Sequence, residues 1–162
     1  AGNKGNAYEE VKSAVHDCKL AEKVFFLGYV QDCDLKYLYK KAKVFVFASL
    51  IEGFGLPVLE AMGHGIPVIA SDIPAISEVA GDAAILVDPH NIADRYDITA
   101  LRDAMSKVLL DEEMRKSLIV KCSERVKDFS WENTARKTLA IYKKLANPEN
   151  LTPDVPGTQR VL

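Results

Sequence analysis

The first part of the chain alternates short apolar runs with helical patterns, and this alternation restricts the possible folds more than any other feature. The apolar runs are rich in β-branched and aromatic residues, as buried strands are. They lie at residues 24–27, 44–47, 68–70 and 84–87. Helical patterns lie at residues 8–18, 35–42, 56–62 and 75–79. Strands that alternate with helices predict an α/β fold, in which helices cover both faces of a parallel sheet.

Beyond Pro89 the pattern becomes helical only, with apolar residues at three- and four-residue spacing over 99–110, 112–128 and 131–145. Thr99 and Ser130 are the predicted N-caps of the first and last of these helices. Residues 90–98 are predicted to form a loop. The segment 147–162 is rich in proline and lacks periodicity, so we expect a folded domain over 1–146 and an irregular tail over 147–162.

Size, charge and cysteine content exclude several classes of function. A chain of 162 residues that is 48% hydrophobic predicts one soluble domain that folds without a disulfide or a metal. A net charge of -2 gives no field that would attract nucleic acid or an anionic membrane. Cys18, Cys33 and Cys122 form no C-x-x-C pair, so we expect buried apolar thiols in a reducing compartment.

The sequence also indicates where in the cell the protein is expected. No stretch approaches the roughly 20 apolar residues that a membrane-spanning helix requires. The first residues carry no apolar region of a signal peptide, so we expect a cytosolic protein without a transmembrane segment. The sequence does not begin with Met, and we therefore expect it to be a piece of a longer protein.

The turn before the helix at 56–62 has the composition of an anion-binding site. Gly53 and Gly55 allow a positive φ or the close approach of a ligand, and Pro57 suits the start of a helix. Free N–H groups and the positive end of the helix dipole suit a phosphate or diphosphate at the carboxyl end of a parallel strand. A glycine-rich turn that only redirects the chain is the alternative.

Two carboxylates flank this turn. Glu60 falls in the first turns of the helix, and its two acceptor oxygens suit the vicinal hydroxyls of a ribose. Glu52 precedes the glycines and is placed to reach a second polyol. The structural alternatives are dipole compensation for Glu60 and an ordinary loop acid for Glu52.

Residues 52–62, followed by 65–72, 78–84 and 87–89, closely resemble GT-B glycosyltransferases of family 4, the glycosyl transferases group 1. Glu52 and Glu60 match the E-x7-E motif of that family, and the resemblance extends from residue 1 to about residue 145. It implies the donor-binding, C-terminal half of such an enzyme. The implied fold is a Rossmann-like parallel sheet flanked by helices that lacks the first strands of that half.

The resemblance also implies roles for individual residues. Glu52 would be the catalytic residue that contacts hydroxyls of the transferred sugar, and Glu60 would hold the ribose. Backbone groups of the turn would hold the sugar and the diphosphate, at Gly53, Phe54, Gly55 and Leu56. A separate wall would meet the nucleobase, formed by Gly28, Tyr29 and Val30 with Leu35 behind them.

The activity that the resemblance implies is retaining transfer of a hexosyl group from a GDP-sugar or UDP-sugar to a glycan or a lipid-linked acceptor. No metal and no other cofactor is expected. Residues 71–74 and 78–82 resemble the mannosyltransferases, so GDP-mannose is the favoured donor. A full-length enzyme would be cytoplasmic, with peripheral association with the inner membrane left open.

Some family features are absent from this sequence. The cationic G-R-x-x-x-x-K-G segment, two upstream strands and the N-terminal acceptor domain are missing. Because the missing strands lie inside the family's sheet, we expect an interrupted sheet or an exposed edge prone to self-association, and an isolated chain that is inactive. His64 stands where the family usually has a small residue or Cys, and a packing or solvated role is expected for it.

Two other interpretations compete with the donor-binding domain. One is a non-catalytic nucleotide-binding or interaction module of the same fold, which the missing cationic segment favours and the intact Glu52 and Glu60 oppose. The other is a dehydrogenase-like or flavodoxin-like domain. The turn at 53–55 lacks the third glycine of the dehydrogenase G-x-G-x-x-G pattern, which disfavours that interpretation.

Overall fold

The fold is a small parallel sheet with helices on both faces. The computed structural model describes residues 2, 4–89 and 98–146. The strands are β1 (Phe45–Phe47), β2 (Val68–Ser71) and β3 (Ala84–Val87). The helices are α1 (Tyr8–Asp17), α2 (Asp32–Lys41), α3 (Leu56–Gly63), α4 (Pro74–Ala80), α5 (Thr99–Leu110), α6 (Glu112–Val126) and α7 (Trp131–Ala146).

The three strands pair in chain order, β1-β2-β3, and every pairing is parallel. Val46 of β1 lies opposite Ile69 of β2, which lies opposite Ile85 of β3. α3 connects the first two strands and α4 connects the last two. This arrangement confirms the predicted α/β class with a parallel sheet.

The core lies on both faces of β2, which explains why this strand is apolar throughout. Val68 and Ala70 point into a cluster with residues of α3, α4 and α6. Ile69 points to the other face, where it packs with Val108 of α5 and Leu118 of α6. Burial on both faces fixes the position of β2, and with it the edge of the sheet from which α3 starts.

The predicted strand at 24–27 is wrong, because these residues are irregular. Phe25 is 73% exposed, and Phe26 and Leu27 are exposed as well. A strand needs a neighbour to satisfy its backbone groups, and in the described part of the chain no strand pairs with this run. Directly after this run, the Gly2 amide donates a hydrogen bond to the Gly28 carbonyl at 2.7 Å. Among the described strands β1 is consequently an edge strand, which agrees with the expected exposed edge, whereas the sheet itself is continuous and self-association through β1 stays a prediction.

The helix starts give one confirmation and one correction. Ser130 Oγ accepts the backbone N–H of Asn133 at 3.1 Å, so Ser130 caps α7 as predicted. Thr99 is not an N-cap, because it is the first residue of α5 and Ile98 takes the cap position. The predicted loop, apart from Ile98, and the predicted tail 147–162 lie outside the described residues.

The cysteines also differ from expectation. All three are free, but only Cys122 is buried, while Cys18 and Cys33 are exposed. Cys18 follows the exposed helix α1 and Cys33 lies on the exposed side of α2, so neither reaches the core. Burial raises the pKa of the Cys122 thiol to about 11.

α7 stands apart from the core. It contains no buried residue, and Trp131 at its start is 83% exposed. Its apolar side chains Leu139, Ile141, Tyr142 and Leu145 are exposed too. Neither α7 nor any other helix in the described ranges combines the length and the apolar character needed to cross a membrane.

Candidate functional site

The glycine turn joins the carboxyl end of β1 to the start of α3. Gly55 has a φ of +94° and precedes the first residue of the helix, so it takes the left-handed conformation that glycine tolerates. Its carbonyl accepts the amide of Val58 at 3.0 Å, which closes the first turn of α3. A Cβ added at Gly53 would meet no atom within 4 Å, so the space beside Gly53 is open. The turn at the carboxyl end of β1 therefore contains Gly55, whose conformation would strain any other residue, and Gly53, which has open space beside it.

Glu52 is held in place by a neighbour in the same turn. Ser49 Oγ donates to Glu52 Oε1 at 2.8 Å, and the carboxylate is half-buried. The second carboxylate oxygen carries no hydrogen bond among the described residues. One oxygen of Glu52 is thus anchored, and the other is available to a ligand.

Glu60 is held by a residue that lies far away in sequence. Tyr39 of α2 donates its hydroxyl to Glu60 Oε2 at 3.2 Å. Glu60 is exposed, whereas Tyr39 is only 8% exposed. Burial, followed by the negative charge of Glu60 and the hydrogen bond to it, raises the pKa of Tyr39 to about 12. Tyr39 consequently remains a protonated donor to Glu60 throughout the physiological pH range.

Glu60 also lines three cavities, the smallest of which, about 260 Å³, it shares with Tyr39 and His64. A cavity of about 490 Å³ lies beside β1 and is lined by Tyr29, Val30, Leu35 and Glu60 among other residues. A cavity of about 340 Å³ lies towards α7 and is lined by Phe54, Leu56, Glu60 and Trp131 among others. The fold therefore brings Glu60 together with most of the predicted binding residues, in two groups.

Three predicted site residues of the glycine turn, Glu52, Gly53 and Gly55, lie outside the two cavities of about 490 and 340 Å³. They are next to Phe54 and Leu56 in the same turn. Gly28 does not line either cavity, and it has a φ of +63° that turns the chain towards Tyr29 and Val30. The predicted residues thus occupy one edge of the sheet without converging on a single closed pocket.

The model of the family described as glycosyl transferases group 1 matches residues 1–125. The chain belongs to this family.

Relatives among characterised proteins agree with the family. The group 1 chain is 42% identical over 120 residues to the O-antigen chain mannosyltransferase B of Escherichia coli, which covers 74% of this chain and 30% of that protein. It is 29% identical over 128 residues to the phosphatidyl-myo-inositol mannosyltransferase of Mycobacterium leprae, which covers 78% of this chain and 33% of that protein. The chain therefore spans about a third of the length of these two relatives.

Solved structures agree on the fold. Sucrose-phosphate synthase from Thermosynechococcus elongatus matches with a TM-score of 0.75 and 29% identity, over 90% of this chain and 37% of that chain. A glycosyltransferase from Rickettsia africae matches with a TM-score of 0.74 and 26% identity, over 88% of this chain and 37% of that chain. The predicted GT-B type of α/β domain is thereby confirmed for this group 1 chain.

Three side chains that are not among the predicted site residues also make contacts at the site. His64 is exposed and stacks on Tyr39, with ring centroids 5.0 Å apart, which confirms the expected packing or solvated role. The sequence reasoning missed Tyr39 and Ser49. Ser49 had a local signal, since it stands three residues before Glu52 in a turn. Tyr39 had only the signal of lying four residues after Leu35, which indicates the buried face of α2.

Metal-binding side chains do not gather in this group 1 domain as far as the structure describes it. Within residues 2, 4–89 and 98–146, no three His, Cys, Asp or Glu side chains lie close enough together to hold a metal ion. The two carboxylates of the site are instead each bonded to a hydroxyl, Glu52 to Ser49 and Glu60 to Tyr39. Both carboxylates are thus oriented by hydroxyl donors.

Proposed function

We propose that this chain is the donor-binding part of a retaining hexosyltransferase, which uses a GDP-sugar or UDP-sugar to glycosylate a glycan or a lipid-linked acceptor. The observation that carries the proposal is the position of Glu60, which lines the cavity beside β1 and the cavity towards α7 and belongs to the helix that starts at the open glycine turn. In the proposal residues 1–146 form the nucleotide-sugar-binding domain. Membership of glycosyl transferases group 1 supports it.

The diphosphate is assigned to the glycine turn. The start of α3 supplies amides and the positive end of a helix dipole, which suit an anion at the carboxyl end of β1. The open space at Gly53 lets a phosphate approach the backbone closely. We assign the backbone of Gly53, Phe54, Gly55 and Leu56 to the sugar and the diphosphate.

The two carboxylates are assigned to hydroxyl groups of the donor. Glu60 binds the ribose, because it faces the cavity that Tyr29, Val30 and Leu35 line. These three residues, with the turn at Gly28, form the proposed wall for the nucleobase. Glu52 contacts the transferred sugar, and Ser49 orients its carboxylate for that contact. These assignments follow the E-x7-E motif of family 4.

Mannose is the proposed transferred sugar. The relatives named O-antigen chain mannosyltransferase B and phosphatidyl-myo-inositol mannosyltransferase support mannose as the transferred sugar, with GDP-mannose as the donor. In the proposal the donor is bound without a metal ion, and a separate acceptor domain closes over the site. We place the enzyme in the cytoplasm.

Calorimetric titration tests this function. The chain is titrated with GDP, UDP and ADP and with their sugar conjugates, and the same titrations are made with Glu60→Ala, Glu52→Ala and the control Glu10→Ala. Glu60→Ala is expected to weaken binding of the nucleotide with or without sugar by at least about tenfold, since it removes hydrogen bonds to a charged group. Glu52→Ala is expected to weaken only the sugar-bearing donor.

Glu10→Ala serves as the control variant in these titrations. Glu10 is an exposed acid on α1, so its removal changes the net charge by the same amount and should leave binding unchanged. Equal losses for both ligands in both site variants would contradict the assignments. Absence of binding by a folded wild-type chain would contradict the donor site itself. Donor binding without transfer by the full-length protein would instead support a non-catalytic nucleotide-binding module.

A further inference from the structure

Tyr39 contacts the carboxylate that the proposed function assigns to the ribose. Its hydroxyl donates to Glu60 Oε2 at 3.2 Å, across 21 residues of sequence. We propose that Tyr39 is a positioning residue for Glu60, which holds one carboxylate oxygen so that the other is presented to the ribose hydroxyls of a nucleoside diphosphate. This inference rests on the proposed donor site.

The ring of Tyr39 is fixed by its surroundings. It stacks on His64 of the α3 C-cap at a centroid distance of 5.0 Å and an interplanar angle of 15°. It also packs against Phe45 of β1, at a centroid distance of 5.8 Å. Contacts with two other elements thus define where the hydroxyl lies relative to the sheet and to α3.

Glu60, by contrast, depends on a partner for its orientation. It is exposed on α3, and a free glutamate side chain in such a position samples several rotamers. Within the residues that the structure describes, Tyr39 is the one recorded hydrogen-bond donor to its carboxylate. A ligand that needs a defined carboxylate geometry would otherwise have to immobilise this side chain on binding, which lowers affinity.

The location of the contact fits a positioning role. Both Tyr39 and Glu60 line the cavity of about 490 Å³ that also contains Tyr29, Val30 and Leu35. The bond is therefore made at the edge of the space assigned to the nucleoside.

Tyr39→Phe tests the inference because it removes the hydroxyl and retains the ring that packs against His64 and Phe45. Tyr37→Phe is the matched control, since Tyr37 is on the same helix, is 62% exposed and has Lys41 Nζ over its ring. Binding of GDP and UDP, and of their dideoxy analogues that lack both ribose hydroxyls, is measured by calorimetry. The same measurements are made with Glu60→Ala and with the double variant.

The expected result is a loss specific to the ribose. Tyr39→Phe should weaken nucleoside diphosphate binding about five- to tenfold, the size of a typical net hydrogen-bond contribution. It should leave binding of the dideoxy analogue unchanged, and it should add no further loss to Glu60→Ala. Tyr37→Phe should bind as the wild type does.

Other results overturn the inference. Equal weakening of both ligands by Tyr39→Phe, or full additivity with Glu60→Ala, would show that the hydroxyl supports the fold rather than Glu60. Unchanged binding in Tyr39→Phe, together with a loss in Glu60→Ala, would refute the positioning role and leave the donor site standing. A wild-type chain that binds no nucleoside diphosphate would refute the donor site and this role with it. Thermal unfolding of each variant shows whether a loss comes from the fold.

Discussion

Alanine at Gly53 and alanine at Gly55 are expected to have opposite effects, although the two glycines lie in the same turn. Gly55 has a φ of +94°, and an L residue held in that region costs on the order of 2 kcal/mol. The added Cβ would lie 3.5 Å from Ile76 Cγ1, which is an ordinary contact, so steric overlap adds nothing to this cost. Gly55→Ala should therefore lower the free energy of unfolding by about 2 kcal/mol.

Gly53 has no such restriction. Its φ lies outside the left-handed range, and an added Cβ would meet no protein atom within 4 Å. Gly53→Ala should leave the free energy of unfolding unchanged or raise it by up to about 1 kcal/mol, because alanine restricts the unfolded chain. If the diphosphate lies against this backbone, the same methyl group should weaken nucleotide binding by at least about tenfold, through overlap with the ligand.

Urea and thermal unfolding followed by far-ultraviolet circular dichroism measure the first effect, and calorimetry measures the second. For a domain of this size, 2 kcal/mol corresponds to a fall in Tm of roughly 4–8 °C for Gly55→Ala. Equal destabilisation by the two variants would refute the structural reasoning about the turn. A stable Gly53→Ala variant that binds nucleotide like the wild type would refute the proposed path of the diphosphate.

Two further predictions concern the buried thiol and a charged contact between helices. Burial raises the pKa of the Cys122 thiol from 9.0 to about 11, so its stabilising effect is complete below pH 9 and is lost as the pH rises through 11. Between pH 8 and pH 11, urea unfolding should therefore show a loss of stability that is about 2–3 kcal/mol larger in the wild type than in Cys122→Ala. Equal losses in the two proteins would contradict this account. Arg125 donates from Nε to the Val79 carbonyl at 2.9 Å at the end of α4. Arg125→Met should cost about 1–3 kcal/mol in urea unfolding, because it leaves the part-buried Val79 carbonyl without a donor. A cost no larger than that of the exposed-pair variant Lys121→Met would contradict this expectation.

The helices of the first and last parts of the chain were predictable because their signals are local. Pro57 after a glycine turn marks the start of α3, and Ser130 marks the start of α7 by its capping hydroxyl. β2 was predictable because a strand buried on both faces is apolar throughout. Periodicity and capping chemistry therefore account for most of the architecture.

Features that depend on partners elsewhere in the chain were not predictable. The run 24–27 has the composition of a buried strand, but composition does not reveal whether a neighbouring strand exists, and Phe25 is largely exposed. Nor did the spacing of Cys18 and Cys33 reveal that both thiols are exposed.

Some residues of the candidate site were likewise predictable from the sequence, and others were not. Glu52 and Glu60 could be found because they flank a glycine turn within one short segment. The bond between Tyr39 and Glu60 joins two helices that approach each other only in the folded chain. The residues that bear charge were thus visible in the sequence, and the residue that orients one of them was not.

Mapping of backbone amides by nuclear magnetic resonance tests the central claim most directly, since it locates the ligand on the folded chain. Proton–nitrogen correlation spectra are recorded as the chain is titrated with GDP and then with GDP-mannose. We expect saturable shifts at residues 53–56 and 28–30 and at Glu60, with unchanged signals at Gly81 and Asp82, which precede the amino end of β3. Absence of shifts in a folded chain, or saturable shifts confined to the amino end of the sheet, would contradict a donor site at the glycine turn.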